Sequence, residues 1–152
     1  MLGRLKAILT NTLGDTTDVE ASLEHDVRVA CAVLLIDAAR SDHDAHDEEM
    51  QVVERLLRER FALSPGETAA LVKRAQETLD HSVALQGFTR QLTDALDEGE
   101  RGALVGMLWE VVYADGKMHA WEEHLVRRIA ELLYVPHGEF IRHKLAAQAK
   151  SG

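Results

Sequence analysis

Apolar residues recur at intervals of three and four along most of this chain, the spacing that lines one face of an α-helix. Leu2, Leu5, Ile8, Leu9 and Leu13 keep that spacing, so residues 2–13 are expected to form a short amphipathic helix. The polar stretch 11–18, with Gly14, follows as a linker. The next helix is expected over about 19–40. Its second half, ACAVLLIDAA, is apolar nearly all the way round, which marks a central buried helix. The polar string RSDHDAHD breaks the pattern. Helical spacing resumes over 47–61 with Met50, Val53, Leu56, Leu57 and Phe61. Ser64-Pro65-Gly66-Glu67 is a helix start: serine caps, proline suits the first helical position, and the glutamate reaches back to the cap. That helix should run to about residue 80. Another, over 82–97, carries Val83, Leu85, Phe88, Leu92 and Leu96. ALVGMLWEVVYA is a second apolar central helix, 121–134 follows it, and after the break at Pro136 the stretch 138–149 forms the last. Strict alternation and β-branched runs are scarce. The expected fold is therefore all-α, a single bundle of about seven to eight helices. Residues 1–20 would be an N-terminal helix and linker, and 21–150 one helical domain.

The bundle is expected to contain a duplication. Asp42, His46 and Glu49 follow the first central helix, and Asp115, His119 and Glu122 follow the second, each trio spelled D-x-x-x-H-x-x-E and offset by 73 residues. Between 34–55 and 107–128 the same offset matches Leu35 with Leu108, Val53 with Val126 and Arg55 with Arg128. Apolar residues also exchange for apolar ones, as in Leu34/Met107, Leu56/Ile129 and Phe61/Tyr134. Core and acidic positions repeat alike. Two pseudo-symmetric helical units should pack about a two-fold axis, because neither can bury its apolar faces alone.

Composition narrows the function. The length of 152 residues and a hydrophobic share of 46% suit one domain with a proper core. A net charge of −9 argues against a nucleic-acid partner, which needs clustered Lys and Arg, and suits cations or basic proteins. One cysteine, Cys31, rules out an internal disulfide, and its apolar surroundings make it a small buried hydrophobe. No apolar run approaches the ~18 residues of a membrane span, and MLGRLKAIL is a poor signal peptide. A reducing, cytoplasmic setting is expected. A homodimer is compatible with the sequence, though no feature specifies one.

The twin turns carry the candidate chemistry. Asp42, His46, Glu49, Asp115, His119 and Glu122 supply carboxylate oxygen and imidazole nitrogen, donors for a divalent metal ion. Carboxylates alone suit calcium or magnesium, and histidine admits manganese, zinc or iron. The competing explanation is architecture: a polar cap followed three residues later by glutamate is a helix N-terminus signature, and His46/Glu49 and His119/Glu122 stand at those positions. An EF-hand is excluded, because Asp47 and Val53 occupy the required glycine and glutamate positions. His119-Ala-Trp-Glu122-Glu123-His124 has one residue too many for the H-x-x-E-H zinc string. Phosphate-binding glycine loops and nucleophile elbows are missing. Asp37 and Glu110, equivalent under the repeat, sit within apolar runs and need partners, for which Arg55 and Arg128 are candidates. Trp109, Tyr113 and Trp121 flank the second turn as core residues or as anchors for a partner.

At VVYADGKMHAWEEHLVRRIAELLYV the chain resembles the TerB family of tellurite-resistance-associated helical domains, through Ala-Asp-Gly, a short turn, a Glu and an amphipathic helix. LIDAARSDHDAHDEEMQVVERLL repeats the resemblance, with His43 replacing the glycine. In helical organisation the resemblance covers about residues 22–148. It implies a non-enzymatic, cytoplasmic, all-α domain with an acidic patch that binds metal ions. It also implies a link to stress and tellurite resistance, in places within membrane-associated complexes. The expected function is divalent-cation binding at the acidic turns. The runner-up is a protein-interaction module whose acidic surface docks a partner without metal.

Overall fold

The same cap chemistry that stands out in the sequence sets several helix boundaries. A computed structural model describes residues 17–40, 47–81, 85–114 and 119–151. Among these, seven helices follow one another: α1 (Thr17–Ala39), α2 (Asp47–Phe61), α3 (Pro65–Asp80), α4 (Gln86–Ala95), α5 (Glu98–Val112), α6 (Ala120–Leu132) and α7 (His137–Ser151). The expected 2–13 helix lies outside the described residues. The Ser64 hydroxyl accepts the Glu67 N–H at 3.1 Å, and the Glu67 carboxylate accepts the Ser64 N–H at 2.9 Å. Asp97 and Glu100 form the same reciprocal box at 2.8 and 3.0 Å. That box starts α5 at Glu98, ahead of its apolar run, so the preceding helix is shorter than 82–97. Arg101 Nη1 donates to the Leu96 carbonyl at 2.8 Å just past the end of α4.

The two central helices are α1 and α5, buried along most of their length from Val27 and from Leu104 respectively. They pack on each other, and each packs most broadly on the third helix of its own half, α3 and α7. The second helix of each half also touches the central helix of the other, α2 on α5 and α6 on α1. This reciprocal packing is what a duplicated three-helix unit with pseudo-two-fold symmetry produces. The duplication thus extends past the matched stretches to α3 and α7, with α4 inserted between the halves against α1 and α6.

The helix ends refine the alignment. The Leu63 N–H donates to the Arg58 carbonyl and the Val135 N–H to the Ala130 carbonyl, both at 3.0 Å. Ala62 (φ 52°) and Tyr134 (φ 57°) adopt the left-handed conformation between them. Both are Schellman closures, which satisfy carbonyls that the helix itself leaves open. They lie 72 residues apart, whereas Glu49 and Glu122 lie 73 apart. The second copy is therefore one residue shorter between these points, and Tyr134 corresponds to Ala62 rather than Phe61. The surroundings agree: Phe61 is half-buried with the Arg28 guanidinium 5.5 Å above its ring, while Tyr134 is 74% exposed.

Trp109 anchors the core between α5 and α7. Its ring centroid lies 5.1 Å from that of Phe140 and 6.0 Å from that of Tyr113. Its Nε1 donates to the Phe140 carbonyl at 3.2 Å, which satisfies the indole's single donor. Cys31 is buried, as expected, and burial pushes its thiol up to about 12. No helix among the described residues is long and apolar enough to cross a membrane.

Candidate functional site

The acidic helix starts are built at α2 and α6. Of the six residues marked in the sequence, Glu49, His119 and Glu122 are described; Asp42, His46 and Asp115 lie outside the described residues. Glu49 and Glu122 occupy equivalent positions and are 2% and 1% exposed. Glutamates are almost never so enclosed unless paired. Glu122 Oε1 accepts the His119 N–H at 3.0 Å, the glutamate half of a capping box. The Oε2 atoms of both glutamates are also buried. Capping thus operates at Glu122, and it uses one oxygen of the carboxylate. His119 itself is exposed. Among the described residues, no three His, Cys, Asp or Glu side chains converge as a metal-binding group.

More acid surrounds each start. Asp47 and Glu48 precede Glu49 in the first turn of α2, and Glu123 follows Glu122 in α6, where the positive helix end favours them. A hydrogen bond from Lys144 at 2.9 Å, helped by Arg127 at 3.6 Å, holds the Glu123 carboxyl below the usual range. Ala114, at the entry to the second turn, lines a cleft of about 550 Å³ with Glu48, Gln51, Val52, Glu54, Arg55 and Arg58 of α2. The second turn therefore begins beside the acidic start of α2.

The two acids within the central helices differ. Burial raises the Asp37 carboxyl above its ordinary range, and Arg40 partly offsets this. Glu110 stands 3.6 Å from Arg55 and accepts a hydrogen bond from Lys150 at 2.7 Å. The Arg55 partner was legible in the repeat. Lys150, 40 residues away in the chain, carries no such signal. Arg128 is exposed, and no ion pair joins it to Asp37 among the described residues. The pseudo-symmetry therefore does not extend to this second pair. Of the aromatic residues beside the turn, Trp109 and Tyr113 are core, and Trp121 is 39% exposed.

Searches of curated proteins and of solved structures give no significant match. The family models do: residues 28–145 match the one described as tellurite resistance protein TerB, spanning both acidic turns, the whole of α2 to α6 and part of α1 and α7. The chain therefore belongs to the TerB family.

Proposed function

We propose that this TerB-family domain is a non-enzymatic binder of divalent metal ions in the cytoplasm, acting within the tellurite or stress response for which the family is named. The observation that carries the reading is the burial of two carboxylates, Glu49 and Glu122, at the same place in both halves. Each stands in an excess of acid. From Asp37 to Glu49 six acids accompany one basic residue, Arg40; from Glu110 to Glu123 four accompany Lys117. Carboxylates held this close repel one another, and a cation relieves that repulsion. Asp42 and Asp115 would be the first ligands, Glu49 and Glu122 the next, with His46 and His119 adding nitrogen where the ion is manganese or zinc.

The test is a thermal-shift series on chelator-treated protein with calcium, magnesium, manganese and zinc. A ligand that binds only the folded state at 100 times its Kd adds about 2.7 kcal/mol. A saturable shift with one ion is expected. Asp42→Asn combined with Asp115→Asn should raise the stability of the metal-free protein and abolish the shift. A flat response to every ion would overturn the reading.

One observation favours a second reading. Trp121 is exposed at the start of α6, two residues before the half-buried Glu123, as an aromatic anchor on a docking surface would be. Binding to a basic protein, within a membrane-associated complex, would then weaken with salt and persist in chelator.

A further inference from the structure

A cation of the chain's own sits against the acidic start of α6. Lys144 Nζ donates to Glu123 Oε1 at 2.9 Å and lies 5.6 Å over the Trp109 ring. Arg127 meets the same carboxylate oxygen at 3.6 Å and lies 5.4 Å over the Phe140 ring. Each positive group is thus fixed between an acid and an aromatic face, and the Lys144 side chain is only 21% exposed.

The first half has no such group. The offset of 73 puts Met50 at the place of Glu123 and Glu54 at that of Arg127. Past the Schellman closures the offset is 72, as Glu67/Glu139 and Ala75/Ala147 show, and it puts Val72 at the place of Lys144. Val72 is part of the buried core. The acids of the α2 start are placed differently as well. Asp47 and Glu48 stand where α6 has Ala120 and Trp121, and both are exposed. Among the described residues the ion pairs of α2 are made by Arg55 and Arg60, and none involves Asp47 or Glu48. The duplicated starts are therefore alike in their buried glutamates, Glu49 and Glu122, and opposite in what accompanies them. At α6 the neighbouring acid is neutralised from within. At α2 it is not.

Resting on the cation reading above, we propose that Lys144 is the internal counter-ion of the α6 start, and that the two halves therefore take divalent ions unequally, the α2 start first. An ion arriving at α6 meets an acid already offset and is repelled by the Lys144 ammonium and the Arg127 guanidinium. An ion arriving at α2 meets Asp47 and Glu48 with no such opposition. Duplication supplied two acidic starts, and Lys144 keeps one of them for the chain itself.

The test is titration calorimetry of the full chain, freed of metal by chelator and then of chelator, with calcium, magnesium, manganese and zinc. With at least one ion, the first binding event per chain is expected to be tighter than the second by about tenfold or more, or to stand alone. Lys144→Met keeps an unbranched apolar stem over Trp109 and removes the charge. It should tighten the weaker event by about tenfold, or bring it into view, and leave the tighter one unchanged. Lys144→Arg keeps the charge and should keep the inequality. A lysine that served packing alone would give no gain of ion affinity on its removal. Asp47→Asn combined with Glu48→Gln should weaken the tighter event and spare the other. Two equal events in the unaltered chain, or a Lys144→Met profile identical to it, would overturn the inequality and leave the cation reading standing. Binding of no ion by any of these proteins would overturn both.

Discussion

Ala62 and Tyr134 hold a backbone conformation that side chains disfavour by about 1–2 kcal/mol, and in neither place does the chain use glycine. Ala62 is exposed, so removing its methyl group costs no packing. Ala62→Gly is expected to raise stability by about 1 kcal/mol, or Tm by about 2–4 °C, in a thermal melt. An unchanged or lower Tm would show that the closure is not strained. At this scale the sequence was legible where chemistry repeats. Glu122 was marked either as a ligand or as a capping residue, and its bond to the His119 N–H realises the second role. The Tyr113 hydroxyl, buried with no hydrogen-bond partner among the described residues, was not legible, because satisfaction of a polar group depends on neighbours from other helices. Trp121 shows the same limit: spacing put it on a helix beside the turn, but only packing decides which aromatic residue faces water.

At the scale of elements, the seam between α5 and α7 is set by two glycines one turn apart. A Cβ built on Gly106 would meet His143 Nδ1 at 2.9 Å, and one on Gly102 would meet Glu139 Oε2 at 2.9 Å. The carboxylate is the end of a flexible side chain and can swing away. The imidazole is partly enclosed by the seam and yields less. Gly106→Ala is therefore expected to destabilise the protein despite the ~1 kcal/mol helix preference for alanine. In a His143→Ala background the same change should become neutral or stabilising, a coupling that a double-mutant cycle measures. Independence of the two sites would count against the close approach. Helix existence and order were legible from periodicity. One boundary was missed for a clear reason: the start of α5, Glu98–Gly102, is polar and holds two glycines, so apolar spacing hides it. Asp97 and Glu100 spell the same cap-and-third-residue signature that Ser64 and Glu67 do, and they were the available signal.

For the whole molecule, two partly buried groups tie stability to pH in opposite directions. Burial, aided by Arg142 and opposed by Glu139, lowers the His143 pKa below 6.5. In the window under 6.5 the unfolded chain binds this proton more readily, so His143's contribution is complete at higher pH and falls as the solution is acidified, levelling off below the folded pKa. Asp37 works the other way. Its pKa is raised above 3.8, so the folded chain holds the proton longer and the contribution is lost as pH rises through the folded pKa. Asp37→Asn should consequently raise the melting temperature of chelated protein at about pH 7 and leave it unchanged near pH 3. A loss of stability at pH 7 would show that the carboxylate is compensated there. The global architecture was largely readable because duplication writes it twice. The one-residue difference between the copies was not, since it falls in the last turn of the helix, after the buried positions Leu57 and Ala130 that keep the common offset.

Cys31 gives this molecule a built-in clock. The chain has one thiol, enclosed in the central helix α1 and far from ionisation near neutral pH. A thiol reagent can reach it only when that helix is exposed, so the labelling rate at low reagent follows the fraction of time the core stands open. Each tenfold slowing then corresponds to about 1.4 kcal/mol of added protection. An ion at the turns would register as a slower reaction at an atom it does not touch.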